Sequence, residues 1–208
     1  MFRPISVRRL GITACALIIT TATLRAQDRQ SVLTPENANE ARLNRLQPPD
    51  QVMDAIGISP GMVGAEIGAG RGRYVVQLAV RVGETGRIYA EDIDGAALRH
   101  LEERCERWGL ANVEAVFGTV TDPKLPVGEL DFIFVISAYH HFDDPVELLG
   151  NARASLKPDG MLAIAEWLQS TSPEDIEAQM SAAGYTLERT ETFLEENGLY
   201  IYVFRLGG

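Results

Sequence analysis

The sequence predicts a three-layer α/β sandwich built on a mostly parallel seven-stranded sheet, with an antiparallel carboxyl-terminal hairpin. Three observations carry this. From Met62 onward, apolar strand-like runs alternate with segments of helical periodicity, a succession that calls for parallel strands joined by crossover helices. Leu130-Asp131-Phe132-Ile133-Phe134-Val135-Ile136 is almost wholly apolar, as a strand buried on both faces must be. A glycine cluster, Gly68-Ala69-Gly70-Arg71-Gly72, directly follows the first of these strands, where the chain has to turn sharply into a helix. The length of 208 residues suits one domain plus extensions. With 46% hydrophobic and 23% charged residues, the chain can bury a core without disulfide or metal support.

The elements follow in order. Residues 27–49 are at first polar and turn-rich, then offer a helical patch around Glu40 to Leu46: a linker and a lid or docking helix. Val52 to Ile56 is a second short helix, ended by Gly57 and the Ser59-Pro60-Gly61 turn. Met62 to Ile67 is the first strand. Arg73 to Val82 is a helix with Val75, Val76, Leu78 and Ala79 on its buried side. Arg87 to Ala90 is the second strand. Gly95 to Trp108 places Ala97, Leu98, Leu101 and Cys105 at steps of three and four, one face of a helix. Val113 to Phe117 and Leu130 to Ile136 are the third and fourth strands. Pro145 to Leu156 is helical, and Lys157-Pro158-Asp159-Gly160 turns the chain into a fifth strand, Met161 to Trp167. Ser172 caps a helix over Pro173 to Ala183. The strands near Tyr185 to Thr192 and Leu199 to Phe204 pair as a hairpin through Asn197-Gly198.

Residues 1–26 read differently. Arg3, Arg8 and Arg9 precede a short apolar stretch, and Ala26 follows as a small residue, the layout of an export signal. The stretch is shorter than the roughly 20 residues a spanning helix needs. The expected organisation is therefore a leader over 1–26, a linker with lid helices over 27–56 and the main domain over 57–208. The leader implies an exported or periplasmic protein; if it is not cleaved, the alternative is a cytosolic protein or one anchored on the cytoplasmic face. Cleavage after Ala26 removes four arginines and no acid, taking the formal charge from −10 to −14. Such an acidic chain is a poor nucleic-acid binder, since binding to phosphate relies on basic groups displacing counterions. Cys15 and Cys105 make no disulfide framework, and Cys105 reads as a small buried hydrophobe.

In a sheet of this kind ligands bind beyond the carboxyl ends of the strands, where the strand order reverses. The first strand ends in Glu66-Ile67-Gly68-Ala69-Gly70-Arg71-Gly72. Glycines there allow a sharp turn and a close approach of backbone to ligand. The second strand ends in Glu91-Asp92, about 20 residues on from the glycine turn, where a carboxylate can accept from two vicinal ribose hydroxyls. Asp92 is favoured over Glu91 because it lies nearest the strand's end. The fourth strand delivers Ser137-Ala138-Tyr139-His140-His141-Phe142-Asp143-Asp144 to the same rim.

Glu66 to Gly72 resembles motif I of the class I S-adenosylmethionine-dependent methyltransferases, acid-x-Gly-x-Gly-x-Gly. Arg87 to Asp94 is similar to that family's second-strand motif, Leu130 to Val135 to its fourth strand, and Leu156 to Leu162 to its turn into the fifth. The likeness runs in order from about Gly57 to Phe204. It implies a Rossmann-like fold and S-adenosyl-L-methionine as cofactor, bound by a set comprising Glu66, Gly68, Ala69, Gly70, Gly72, Asp92, Ile93, Thr119 and Ser137. Gly68, Gly70 and Gly72 would approach the methionine portion, with Glu66 ordering that region. Asp92 would hold the ribose, and Ile93 would pack on adenine. Where the family often has an acid after the third strand's glycine to receive the adenine amino group, this chain has Gly118-Thr119, with Asp122 nearby as a substitute.

The rival cofactor is NAD, whose fingerprint needs its third glycine at position 73, occupied here by Arg73. Methyl transfer needs alignment of the acceptor and exclusion of water, and a base only where the acceptor keeps its proton near neutral pH. His140, His141 and Tyr139 are the candidates for that task, His because it titrates near neutrality. Adjacent side chains point apart, so one imidazole at most is expected to face the reacting atoms. The pair does not form a metal site with Asp143 or Asp144, since no third ligand has suitable spacing. The resulting expectation is methylation of a small-molecule substrate, with no nucleic-acid partner and no membrane insertion beyond the leader. An NAD-dependent oxidoreductase and a non-catalytic binder of a nucleoside cofactor are the alternatives.

Overall fold

The computed structural model describes residues 31–207, so the expected leader over residues 1–26 lies outside the described residues. Residues 31–34 belong to a first unit, in which the Thr34 N–H donates to the Ser31 carbonyl at 3.2 Å. The unit from Pro35 onward carries the whole sheet.

Two short helices lead in, α1 (Ala38–Leu46) and α2 (Pro49–Ile56). Asn37 caps α1 by accepting from the Glu40 N–H, and Gly57 ends α2 in the left-handed conformation expected of a glycine stop. Then come β1 (Val63–Ile67), α3 (Val75–Val82), β2 (Arg87–Asp92), α4 (Gly95–Trp108), β3 (Val113–Phe117), β4 (Leu130–Ile136), α5 (Pro145–Ala152), β5 (Leu156–Trp167), α6 (Pro173–Ala182), β6 (Tyr185–Glu191) and β7 (Leu199–Leu206). The sheet order is β3-β2-β1-β4-β5-β7-β6. Strands β1 to β5 are parallel, and β7 runs antiparallel to both its neighbours. The mostly parallel seven-stranded sheet with an antiparallel terminal pair is thus present. The order reverses between β1 and β4, which places the crevice for a ligand at the carboxyl ends of those two strands.

Both faces of the sheet are covered. One core gathers Ile88, Phe132, Phe134 and Val203 with Val52, Met53, Leu78 and Leu101 from the helices; the other gathers Ile67, Ile133, Val135 and Phe204 with Leu148, Leu149, Ile176 and Met180. Strand β4 contributes alternate residues to each, which explains its nearly unbroken apolar sequence. Cys105 is a free, buried thiol.

Several boundaries differ from the expected ones, four of them for a clear local reason. Helix α3 starts at Val75 rather than Arg73, because Arg73 and Tyr74 are engaged with Gln47: Arg73 Nη2 donates to its Oε1 at 2.7 Å and Tyr74 OH to its carbonyl at 3.1 Å. After Ala152 the α-helix tightens into a 3₁₀ turn over Arg153–Ser155. Strand β5 already begins at Leu156, which pairs with Leu130, and residues 157–160 bulge out before Met161 pairs with Phe132. The link between β6 and β7 is longer than a two-residue turn: a 3₁₀ turn over Glu195–Asn197 precedes left-handed Gly198. None of the described helices is long and apolar enough to cross a membrane.

Candidate active site

Strand β1 delivers the glycine bend to the switch point. Gly68 and Gly70 have φ of 78° and 54°, a region that side chains disfavour. A Cβ at Gly68 would lie 2.6 Å from the Ala138 methyl, whereas one at Gly70 would meet nothing within 4 Å among the described residues. The first glycine therefore lets the loop after β4 come close, and the second faces open space.

Strand β2 fixes the bend. The Gly68 and Ala69 N–H groups donate to the Glu91 carbonyl at 3.0 and 2.9 Å, and the Gly70 N–H donates to Asp92 Oδ2 at 2.7 Å. Asp92 Oδ1 accepts from the Asp94 N–H at 2.8 Å. Each oxygen of an ionised carboxylate has a second lone pair, so Asp92 orders the backbone and can still accept from a ligand. Beside it Ile93 leaves 55% of its surface exposed, an apolar face in an otherwise polar setting.

The loop after β4 forms the opposite wall. Ser137 has φ of 52°, unusual for a residue with a side chain. It is held there by its N–H, which donates to the Ala165 carbonyl at 2.9 Å, and by its Oγ, which accepts from Gln47 Nε2 at 2.6 Å. Between these walls lies a cavity of about 330 Å³. Of the residues singled out from sequence, Gly68, Gly70, Asp92, Ile93, Thr119, Ser137 and His141 line it, together with Glu91, Val120, Ala138, Phe142, Asp143 and Leu148.

Glu66, Ala69, Gly72 and Tyr139 sit behind this surface, and His140 is exposed next to the lining residue His141. Glu66 is 3% exposed, and its Oε2 has no hydrogen-bond partner among the described residues. Burial raises its pKa to about 8; the nearby Arg73 opposes the shift and Asp92 adds to it. Ala69 is packed in the core, and Gly72 lies against Leu101. Tyr139 is buried with its hydroxyl donating to Gln179 Oε1 at 2.6 Å, so it belongs to the packing between the loop and α6. His140 stands beside His141 with ring centroids 4.0 Å apart.

Glu166 escaped the sequence reading. It projects from the end of β5, is 1% exposed, and its Oε1 lies 3.0 Å from His140 Nδ1. Its two oxygens also accept from the backbone N–H groups of His140 and Trp167, at 3.2 and 2.7 Å. The carboxylate accepts, so Nδ1 carries the hydrogen and Nε2 is left as the basic nitrogen of the ring. The available signal was a lone acid in the apolar strand Met161 to Trp167, at the end that faces the crevice.

A family profile described as "Methyltransferase domain" matches residues 65–160. A SAM-dependent methyltransferase from Aquifex aeolicus superposes with a TM-score of 0.68 at 25% identity, covering 82% of this chain and 97% of its own. Residues 65–160 thus match a methyltransferase domain, carried on the fold of an S-adenosylmethionine-dependent methyltransferase. Among curated proteins, nocamycin O-methyltransferase of Saccharothrix syringae is 26% identical over 114 residues, 55% of this chain and 41% of that protein. A ubiquinone/menaquinone biosynthesis C-methyltransferase UbiE, of Hydrogenovibrio crunogenus, is 27% identical over 118 residues, 56% of this chain and 46% of that protein. The chain thus spans less than half the length of these two curated relatives.

The site suits the methyltransferase cofactor, S-adenosyl-L-methionine. Asp92 has free acceptor capacity for hydroxyls, Ile93 exposes an apolar face beside it, and the bend at Gly70 has no side chain to obstruct a ligand. The unpartnered Glu66 Oε2 behind the bend supplies a further buried acceptor.

Proposed function

We propose that this methyltransferase transfers a methyl group from S-adenosylmethionine to a small-molecule acceptor. The observation that carries the reading is the cavity at the switch point, where the glycine bend, Asp92 and Ile93 face the loop Ser137–Asp143. Asp92 would hold the ribose hydroxyls, Ile93 the adenine face, and Gly68 and Gly70 would admit the methionine portion. When bound, the cofactor supplies an electrophilic methyl on a positively charged sulfur. The protein's part is to align the acceptor and keep water out.

For an acceptor that holds its proton at neutral pH, His140 is the base in this proposal: it is exposed beside the lining residue His141, and an acceptor extending past His141 would meet it. Glu166 fixes its Nδ1–H, so that Nε2 takes the proton as the acceptor's oxygen, nitrogen or carbon attacks. Glu166 is then a positioning residue, and His141 and Phe142 shape the wall of the cavity. The small-molecule assignment is supported by relatives whose names place them in O-methylation of nocamycin and C-methylation in quinone biosynthesis.

Calorimetry with S-adenosylhomocysteine, followed by product formation from a methyl-labelled donor with a panel of phenols and quinols, tests the reading. Binding without turnover across the panel would favour a non-catalytic nucleoside binder; binding of NAD in place of the homocysteine compound would favour an oxidoreductase. With an active acceptor, His140→Ala should lower kcat by about 10²-fold or more while leaving donor affinity unchanged. Added imidazole should restore part of that loss. Glu166→Gln should lower kcat more than it raises KM, the split expected of a group that orients the base.

A further inference from the structure

We propose that the Glu91 side chain, rather than Thr119 or Asp122, reads the amino edge of adenine in this cavity, and that it does so as a neutral carboxyl group. The inference rests on the S-adenosylmethionine reading above and assigns a residue to a recognition that the sequence had left to the segment after β3.

Glu91 directly precedes Asp92 at the end of β2. The residue is 2% exposed yet lines the cavity beside Ile93 and Thr119. A Cβ at Gly118 would overlap Glu91 Oε1, so the glycine leaves room for the carboxyl to reach across the end of β3. Of the two alternatives, Asp122 does not line the cavity and Thr119 is already engaged. Thr119 Oγ1 accepts from the Asp122 N–H at 3.0 Å and donates to the Asp122 carbonyl at 3.4 Å. Asp122 Oδ1 accepts from the Lys124 N–H at 2.9 Å.

Adenine presents a donor, its 6-amino group, beside an acceptor, N1. An ionised carboxylate can satisfy only the donor. A neutral carboxyl satisfies both, its carbonyl oxygen accepting and its hydroxyl donating. The surroundings keep Glu91 neutral: burial raises its pKa to about 8, the adjacent Asp92 pushes the same way, the Gly68 N–H opposes and Asp122 adds to the rise. Asp143 and His141 face the same cavity from the loop after β4. The charged groups around Glu91 are therefore mostly acids, which favour a protonated neighbour.

The test is titration calorimetry of S-adenosylhomocysteine against the full chain, Glu91→Gln and Glu91→Leu, from about pH 6.5 to about pH 9.5, with Thr119→Val as a control. Near neutral pH the Gln variant, whose amide also offers one acceptor and one donor, should bind within about threefold of the parent. The Leu variant should bind about tenfold more weakly, having lost two neutral hydrogen bonds. As pH rises through about 8 the parent should lose affinity, because the ionised group no longer donates to N1; the Gln variant should stay flat. Thr119→Val should match the parent. If the parent binds with no decline at high pH, or if Glu91→Leu binds as well as the parent, the assignment is overturned while the cofactor reading stands. If the parent does not bind S-adenosylhomocysteine at all, the cofactor reading fails and this one with it. Should Glu91→Leu not fold, the pH profiles of the parent and Glu91→Gln decide the matter between them.

Discussion

Four carboxylates near the switch point have the same chemistry and different surroundings, and the surroundings divide the work among them. Asp92 is tied to backbone N–H groups on both oxygens and so holds the bend while remaining an acceptor. Asp92→Ala should weaken S-adenosylhomocysteine binding by about 1–3 kcal/mol, the worth of charge-assisted hydrogen bonds, as read by calorimetry. Glu66 and Glu91 are buried and neutral near pH 7, while Glu166 is bound to His140. A carboxyl whose pKa is raised on folding destabilises the fold as it ionises. The stability associated with Glu66 is fully present below its ordinary value of 4.5 and is lost progressively as pH climbs to about 8. Urea midpoints of the parent should fall across that window, and those of Glu66→Gln should fall less. The sequence marked Asp92 and Glu66 because each sits at the end of a strand at a fixed distance from the glycines. It favoured Asp92 over Glu91 for the ribose but could give Glu91 no role of its own, since that depends on which side of β2 each side chain takes and on the space left by Gly118. Tyr139 looked reactive in the string Tyr139-His140-His141, but the 3₁₀ turn over those residues points its hydroxyl at Gln179.

Elements α1 and α2 act on the site from outside the sheet. Gln47, fully buried just after α1, connects Ser137, Arg73 and Tyr74, so the lead-in helices brace both walls of the cavity. Their anchor is Glu40, which accepts from Arg104 Nη1 and Nη2 at 2.9 and 3.1 Å; Arg104 is 1% exposed. Breaking a buried pair from one side leaves the other charge poorly compensated, here, among the described residues, by Glu36 alone at 3.8 Å from Arg104 Nη1. Glu40→Ala should therefore cost about 3–5 kcal/mol in chemical denaturation. Periodicity located α1 and α2, but nothing in it revealed that Glu40 faces inward, because a glutamate in a helix's first turn ordinarily points to water. Strand cores were legible for the opposite reason: Leu130 to Ile136 has one solution once both faces are buried. The ends of elements were less so. The bulge at residues 157–160 and the late start of α3 both depend on partners distant in sequence.

At the scale of the molecule, the order β3-β2-β1-β4-β5-β7-β6 puts every strand end discussed above on one rim. The bend belongs to β1, Asp92 and Glu91 to β2, Thr119 to the segment after β3, the histidines to the loop after β4 and Glu166 to β5. A ligand that touches all of these should couple elements that otherwise meet only through the sheet. Its binding free energy should then appear as stability of the whole compact unit. A ligand that binds only the folded state adds RT ln(1 + [L]/Kd), about 2.7 kcal/mol at a hundredfold excess over Kd. For a domain of this size, that corresponds to a rise in Tm of roughly 5–10 °C. S-Adenosylhomocysteine at such an excess should produce that shift in a single cooperative transition monitored by calorimetry. NAD at the same concentration should produce none, because Arg73 stands where its fingerprint needs a glycine and is bonded to Asn44 and Gln47. A comparable shift with NAD, or none with S-adenosylhomocysteine, would mean that the rim recognises a different nucleoside from the one its carboxylates suit.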